Sequence, residues 1–163
     1  MKNILLGILC SASFLTTCAQ STGKLKKAYA YYTVSMPGMQ MVDENGNPVT
    51  PKPSISRIIY FEWSGVKKPA IDVILYNKQV LIATLIPVEG KTVVPGSDLS
   101  QNNVSKITVA KQNSLWKIDL QPKEGNEMPD QGCKNIIIKI KESKKTFSYK
   151  LTRETLLHTL PRY

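Results

Sequence analysis

The chain is poor in the residues from which catalytic and metal centres are built. It holds one histidine, His158, and three cysteines, Cys10, Cys18 and Cys133. A serine triad needs a histidine base beside a nucleophile on a sharp turn, and no Gly-x-Ser-x-Gly stretch occurs. A thiol–imidazole couple of Cys133 with His158 has nothing else in the sequence to support it. The acids Glu62, Asp72, Asp98 and Asp119 stand singly on strand-like segments and read as solvated, not as a glycosidase pair. Two apparent motifs fail on spacing. Glu89-Gly90-Lys91-Thr92 resembles the end of a phosphate loop, but Leu85 stands where the first glycine belongs, and Pro95 blocks the following helix. Asp43-x-Asn45-x-Asn47 resembles a calcium loop, but Pro48 holds the glycine position and Ser54 the bidentate glutamate position. No cofactor is expected. The absence of amphipathic helical runs of about ten residues excludes helical bundles and βαβ folds.

What is present begins at the N-terminus. Met1-Lys2-Asn3 is a short positive start, Ile4–Leu15 an apolar run, and Thr17-Cys18-Ala19 a small-residue end. This is the pattern of an export signal over residues 1–19. As a helix the run would reach roughly 18 Å, short of the ~30 Å hydrocarbon core. No transmembrane helix is expected in the mature chain. Leu15-Thr16-Thr17-Cys18 also resembles a bacterial lipobox, departing from it at Thr17 where Gly, Ala or Ser is usual. The expectation is periplasmic or secreted release after Ala19, with membrane anchoring through a lipidated Cys18 as the alternative. Either way Cys133 is left as the one thiol, so no internal disulfide forms.

Residues 20–27 read as a flexible basic leader and residues 28–163 as a single all-β domain. Short apolar runs are broken by Gly, Pro and Asn. Asn45-Gly46 marks a hairpin turn, Asn77-Lys78 a second, Gln112-Asn113 a third between Val104–Lys111 and Ser114–Leu120, and Glu142–Lys145 a fourth. Ile136, Ile138 and Ile140 alternate with lysines, and Trp116, Ile118 and Leu120 with Lys117 and Asp119, so those strands bury one face. Lys78–Val88 is apolar on both faces and reads as a central strand covered on both sides. Thr152–Leu160 is the single helix candidate. The expected fold is an antiparallel β-sandwich, Ig-like or similar, of about seven to nine strands, with a small β-barrel second.

The formal net charge is +10, or +9 without Lys2, spread over both halves. Its densest stretch, Lys134–Arg153, carries seven basic residues against Glu142. Lys139, Lys141, Lys144, Lys145 and Lys150 are therefore the candidate anionic surface. Nucleic acid is not the expected partner, because Phe147 and Tyr149 alternate away from Lys150 instead of interleaving with it. Trp63, at a strand end before Ser64-Gly65, is a candidate platform for stacking on glycan rings. Met36, Met39 and Met41 form a cluster of soft sulfur ligands that would suit Cu(I). The sequence thus points to an exported, non-enzymatic β-sandwich module of the bacterial cell envelope. Its binding or structural role is towards an anionic surface, a glycan or an unknown protein partner. The alternatives are a periplasmic copper-binding protein using the methionines, or an unrecognised hydrolase.

Overall fold

The computed structural model describes residues 23–35, 41–49, 52–98, 103–129, 132–142 and 145–158. They are all-β. In chain order the strands are β1 (Leu25–Ser35), β2 (Met41–Val42), β3 (Pro48–Val49), β4 (Ser54–Trp63), β5 (Ala70–Tyr76) and β6 (Gln79–Val88). They continue with β7 (Thr92–Asp98), β8 (Asn103–Thr108), β9 (Ser114–Pro122), β10 (Ile136–Glu142), β11 (Lys145–Leu151) and β12 (Glu154–His158). Ten of them form one sheet in the order β11-β10-β5-β6-β9-β4-β1-β12-β7-β8, and β2-β3 is a separate ribbon.

The two facing antiparallel sheets expected from the sequence are replaced by one curled, mixed sheet, a half-barrel. Side chains from β1, β4, β5, β6, β9 and β10 meet in one inner core, with Tyr149 and Leu151 of β11 packed against it. Residues from nearly the whole width of a sheet can share one core only if the sheet rolls up. The β1–β12 pair is parallel, with Ala30 opposite Glu154, while the other pairs are antiparallel. Among the described residues the roll is not closed by hydrogen bonds: β11 pairs only with β10, and Leu25–Tyr29 of β1 pair only with β4. Cavities of about 250 and 240 Å³ lie along the seam between β1 and β11.

A second core lies on the opposite face of β1, β4 and β9. Tyr31, Tyr60 and Leu115 point there and are covered by Ile107, Val109 and Leu157. β4 thus sends Ile59, Phe61 and Trp63 inward and Tyr60 and Glu62 outward, and all five are buried.

Several expectations change on this frame. Of the expected helix Thr152–Leu160, Thr159 and Leu160 lie outside the described residues and Glu154–His158 form a strand, because alternate residues of β12 serve different faces. The Glu154 side chain is fully buried against Arg57, and Leu157 reaches the outer core. β8 pairs with β7 and not with β9, since β9 is already flanked by β4 and β6. β6 is not covered on both sides, as Val80, Ile82 and Ile86 remain exposed. Strand β1 starts at Leu25, inside the stretch read as leader, and buries that leucine. Other readings hold. Met41–Val42 pair with Pro48–Val49 around Asn45-Gly46, where Gly46 has φ +80°. Asn77 and Lys78, both at positive φ, make the tight β5–β6 hairpin. Ile136, Ile138 and Ile140 are buried as their alternation predicts.

Candidate functional site

The lysines singled out in the sequence do not all share one face. Lys139 lies opposite Ser148 and Val73, Lys141 opposite Thr146 and Ala70, and Lys150 opposite Ile137. These three project from the outer face of the roll. Lys145 pairs with Glu142 and belongs to the opposite face, with Ile140 and Phe147. Lys144 lies outside the described residues, as do Cys18, Met36 and Met39. Only the backbone of Met41 is described, in β2.

Beside the three lysines, the same outer face carries an apolar band that sequence reasoning had assigned to a core. Leu75 stands opposite both Val80 and Ile137, and Val73 opposite Lys139. Val80 is 44% and Ile82 50% exposed, while Val73, Leu75 and Ile137 are half-buried. On the far side of the band Lys117 stands opposite Ile86, within an ion pair to Asp119 at 2.8 Å. This apolar strip is rimmed by charge, and no other described residue covers it.

A cluster of reactive residue types occupies one end of the roll, and its geometry is structural. The side chains of Arg57 and Glu154 are fully buried and form an ion pair at 2.6 Å. Glu154 also accepts from the Tyr76 hydroxyl at 3.1 Å and from the Cys133 backbone N–H at 3.0 Å. Arg57 donates to the Pro129 carbonyl and lies 5.4 and 5.2 Å from the ring centres of Tyr32 and Tyr76. Pro129 and Cys133 are thereby tied across this end of the roll. Burial pushes the Glu154 carboxyl above its ordinary range, against the pull of the Cys133 N–H and Arg57. The single proton of the buried Cys133 thiol has two acceptors in reach, Asn77 Oδ1 at 3.1 Å and the Asn135 carbonyl at 3.3 Å, and both are amide oxygens and not a base.

A second latch holds the outer core. The buried Glu62 carboxylate accepts from the Asn113 side chain and, at 3.1 Å, from the Ala110 N–H. The Asn113 hydrogen bond, aided by Ala110, holds its pKa below the ordinary value. Among the described residues no group of three or more His, Cys, Asp or Glu side chains could hold a metal ion. The Asp43 carboxylate of the calcium-like stretch is spent on its own turn, accepting from Asn45 and Asn47.

The 240 Å³ cavity at the other end of the seam is lined by Trp63, Ile140, Phe147 and Tyr149, together with Gly23, Lys24 and Glu142. Trp63 is only 3% exposed and donates Nε1 to the Lys67 carbonyl at 2.9 Å. Gly23 and Gly65 press on the indole so closely that a Cβ on either would fall within 2.5 Å of it. Trp63 is therefore a fixed wall, and the accessible aromatic face belongs to Phe147, which is 44% exposed. Alternation assigned Phe147 to the buried side of its strand. It is left open because β11 is an edge strand.

Comparison with known proteins adds no identification. No family model matches this chain, and none of the curated proteins or solved structures is similar to it. Among the described residues no helix is long and apolar enough to cross a membrane.

Proposed function

We propose that this protein is a non-enzymatic binding module of the bacterial cell envelope that seats the outer face of β6, β5, β10 and β11 on an anionic bilayer surface. One observation carries the reading: Lys139, Lys141 and Lys150 share a face with an exposed apolar band built on Val80 and Ile82. The two features answer different parts of a membrane interface. Lysine ammonium groups near anionic headgroups contribute about 1 kcal/mol each. Branched apolar side chains reach the headgroup boundary and gain from leaving water, at ~25 cal/mol per Å². The export-like residues 1–19 support placement at the envelope, and the excess of basic residues supports an anionic partner. Lipidation at Cys18 would add a second attachment, which single weak anchors need for stable binding.

The test is co-sedimentation with vesicles of phosphatidylglycerol and phosphatidylethanolamine against pure phosphatidylcholine, at low and physiological salt. The reading expects binding to the anionic vesicles alone, weakened but not abolished by salt because the apolar part is unscreened. Equal binding to neutral vesicles, or none to anionic ones at low salt, contradicts it.

A further inference from the structure

We infer that the cavity under the β10–β11 hairpin is a second, independent site that takes a single pyranose ring of a glycan. Its chemistry is mixed in a specific way. Phe147 and Tyr149 on β11 offer aromatic surface, Ile140 and the immobilised Trp63 close the apolar wall, and an acidic and a basic residue, Glu142 and Lys24, also line the cavity. A hydrocarbon guest would desolvate Glu142 and Lys24 and give them nothing in return. A hydroxyl-rich chain without a ring would leave the aromatic wall unmatched. A pyranose presents C–H faces to the aromatics and a periphery of hydroxyls that donate to Glu142 and accept from Lys24. A cavity of about 240 Å³ has room for one such ring.

The wall is also pre-formed, which lowers the ordering cost of binding. The Trp63 indole is fixed by its Lys67 hydrogen bond and by the backbones of Gly23 and Gly65. Exposure of Phe147 on an edge strand, beside an opening that a ligand would cover, fits the same use. This site faces the seam and shares no residue with the outer lysine face, so either proposal can fail without the other.

Saturation-transfer NMR on the protein, titrated with glucose, galactose and N-acetylglucosamine in turn, tests the inference. Cyclohexanol serves as a ring without the hydroxyl periphery and sorbitol as hydroxyls without the ring. At least one pyranose is expected to bind with millimolar affinity and to beat both controls. Phe147→Ala is expected to weaken it about tenfold, as loss of one stacking aromatic does. Glu142→Gln is expected to weaken it less, and Val94→Ser, on β7, to leave it unchanged. Phe147 is half-exposed, so its variant retains the fold, checked by an unchanged melting curve. The inference is overturned if no pyranose binds, if cyclohexanol or sorbitol binds as well, or if Phe147→Ala binds like the parent.

Discussion

β4 and β6 flank the same strand, β9, and both are rich in branched apolar residues, yet they end in different surroundings. β4 carries an arginine and a glutamate and is buried on both faces. β6 carries no charge at all and is buried on one. Hydropathy therefore does not decide which strand is central. What decides it is what the rest of the chain lays across the second face: β8, β12 and the residues after β8 cover β4, and nothing described covers β6. The charged residues of β4 are affordable because each has a dedicated partner, Glu154 for Arg57 and Asn113 for Glu62. The bare apolar face of β6, with the lysines of β10 and β11 beside it, is the feature on which the proposed membrane docking rests.

The comparison can be broken most forcefully at Arg57. Arg57→Ala or Glu154→Ala, each leaving a buried charge unpaired, is expected to cost about 3–5 kcal/mol in urea unfolding. Replacing both together with Met and Leu is expected to restore much of that. A single variant costing under about 1 kcal/mol would show that the latch does not hold Pro129 and Cys133 in place. Next in size is the direct contrast of strands. Ile59→Ala on β4 empties a fully buried site and should cost ~2–5 kcal/mol. Ile82→Ala on β6 should stay within about 0.5 kcal/mol. Equal losses would mean that β6 is covered after all.

Much of the fold is legible in the sequence, and the failures have a common cause. Period-two alternation located the inward face of β9 and β10, and Asn45-Gly46 and Asn77-Lys78 fixed their turns, because both signals are local. The helix expected at Thr152–Leu160 and the β8–β9 hairpin failed because they depend on distant strands. β12 is a strand because β1 offers it an edge, and β8 turns back on β7 because β9 is occupied. The candidate site was legible in part. Three of the five lysines share the face predicted for them, but their apolar companions read as core, since exposure of β6 depends on the absence of a covering layer. Trp63 pointed to the cavity under the β10–β11 hairpin, although Phe147 supplies its open surface.

Smaller effects sharpen the functional side. Changing Lys139, Lys141 and Lys150 together to Gln should lower affinity for anionic vesicles by about 100-fold, at about 1 kcal/mol per lysine, and flatten its salt dependence. Thermal stability should be unchanged, since only Lys139 is partly buried. The two carboxylate latches should respond to acid in opposite directions. Glu62 has a lowered pKa in the folded chain, so its contribution is present above the ordinary glutamate value of 4.5 and is lost as pH falls through the folded value. Glu154 has a raised one, so between 4.5 and that value the folded chain binds the extra proton and acidification favours it. Unfolding measured from neutral pH downward should therefore be flatter at its acid end in Glu62→Gln, and should lose its mid-acid gain in Glu154→Gln. The reverse assignment would contradict the two environments.

The decisive measurement places an environment-sensitive fluorophore at Ile82→Cys or, separately, at Val94→Cys, in a background with Cys10, Cys18 and Cys133 changed to Ser. Both positions are exposed and apolar, 50% and 53% respectively, but Val94 lies on β7, away from the lysine face. On adding phosphatidylglycerol vesicles, the probe at residue 82 should shift to the blue as it enters the headgroup boundary, while the probe at residue 94 should not move. Equal shifts at both positions, or a shift at 94 alone, would contradict the assignment of the β6 face as the membrane-docking surface.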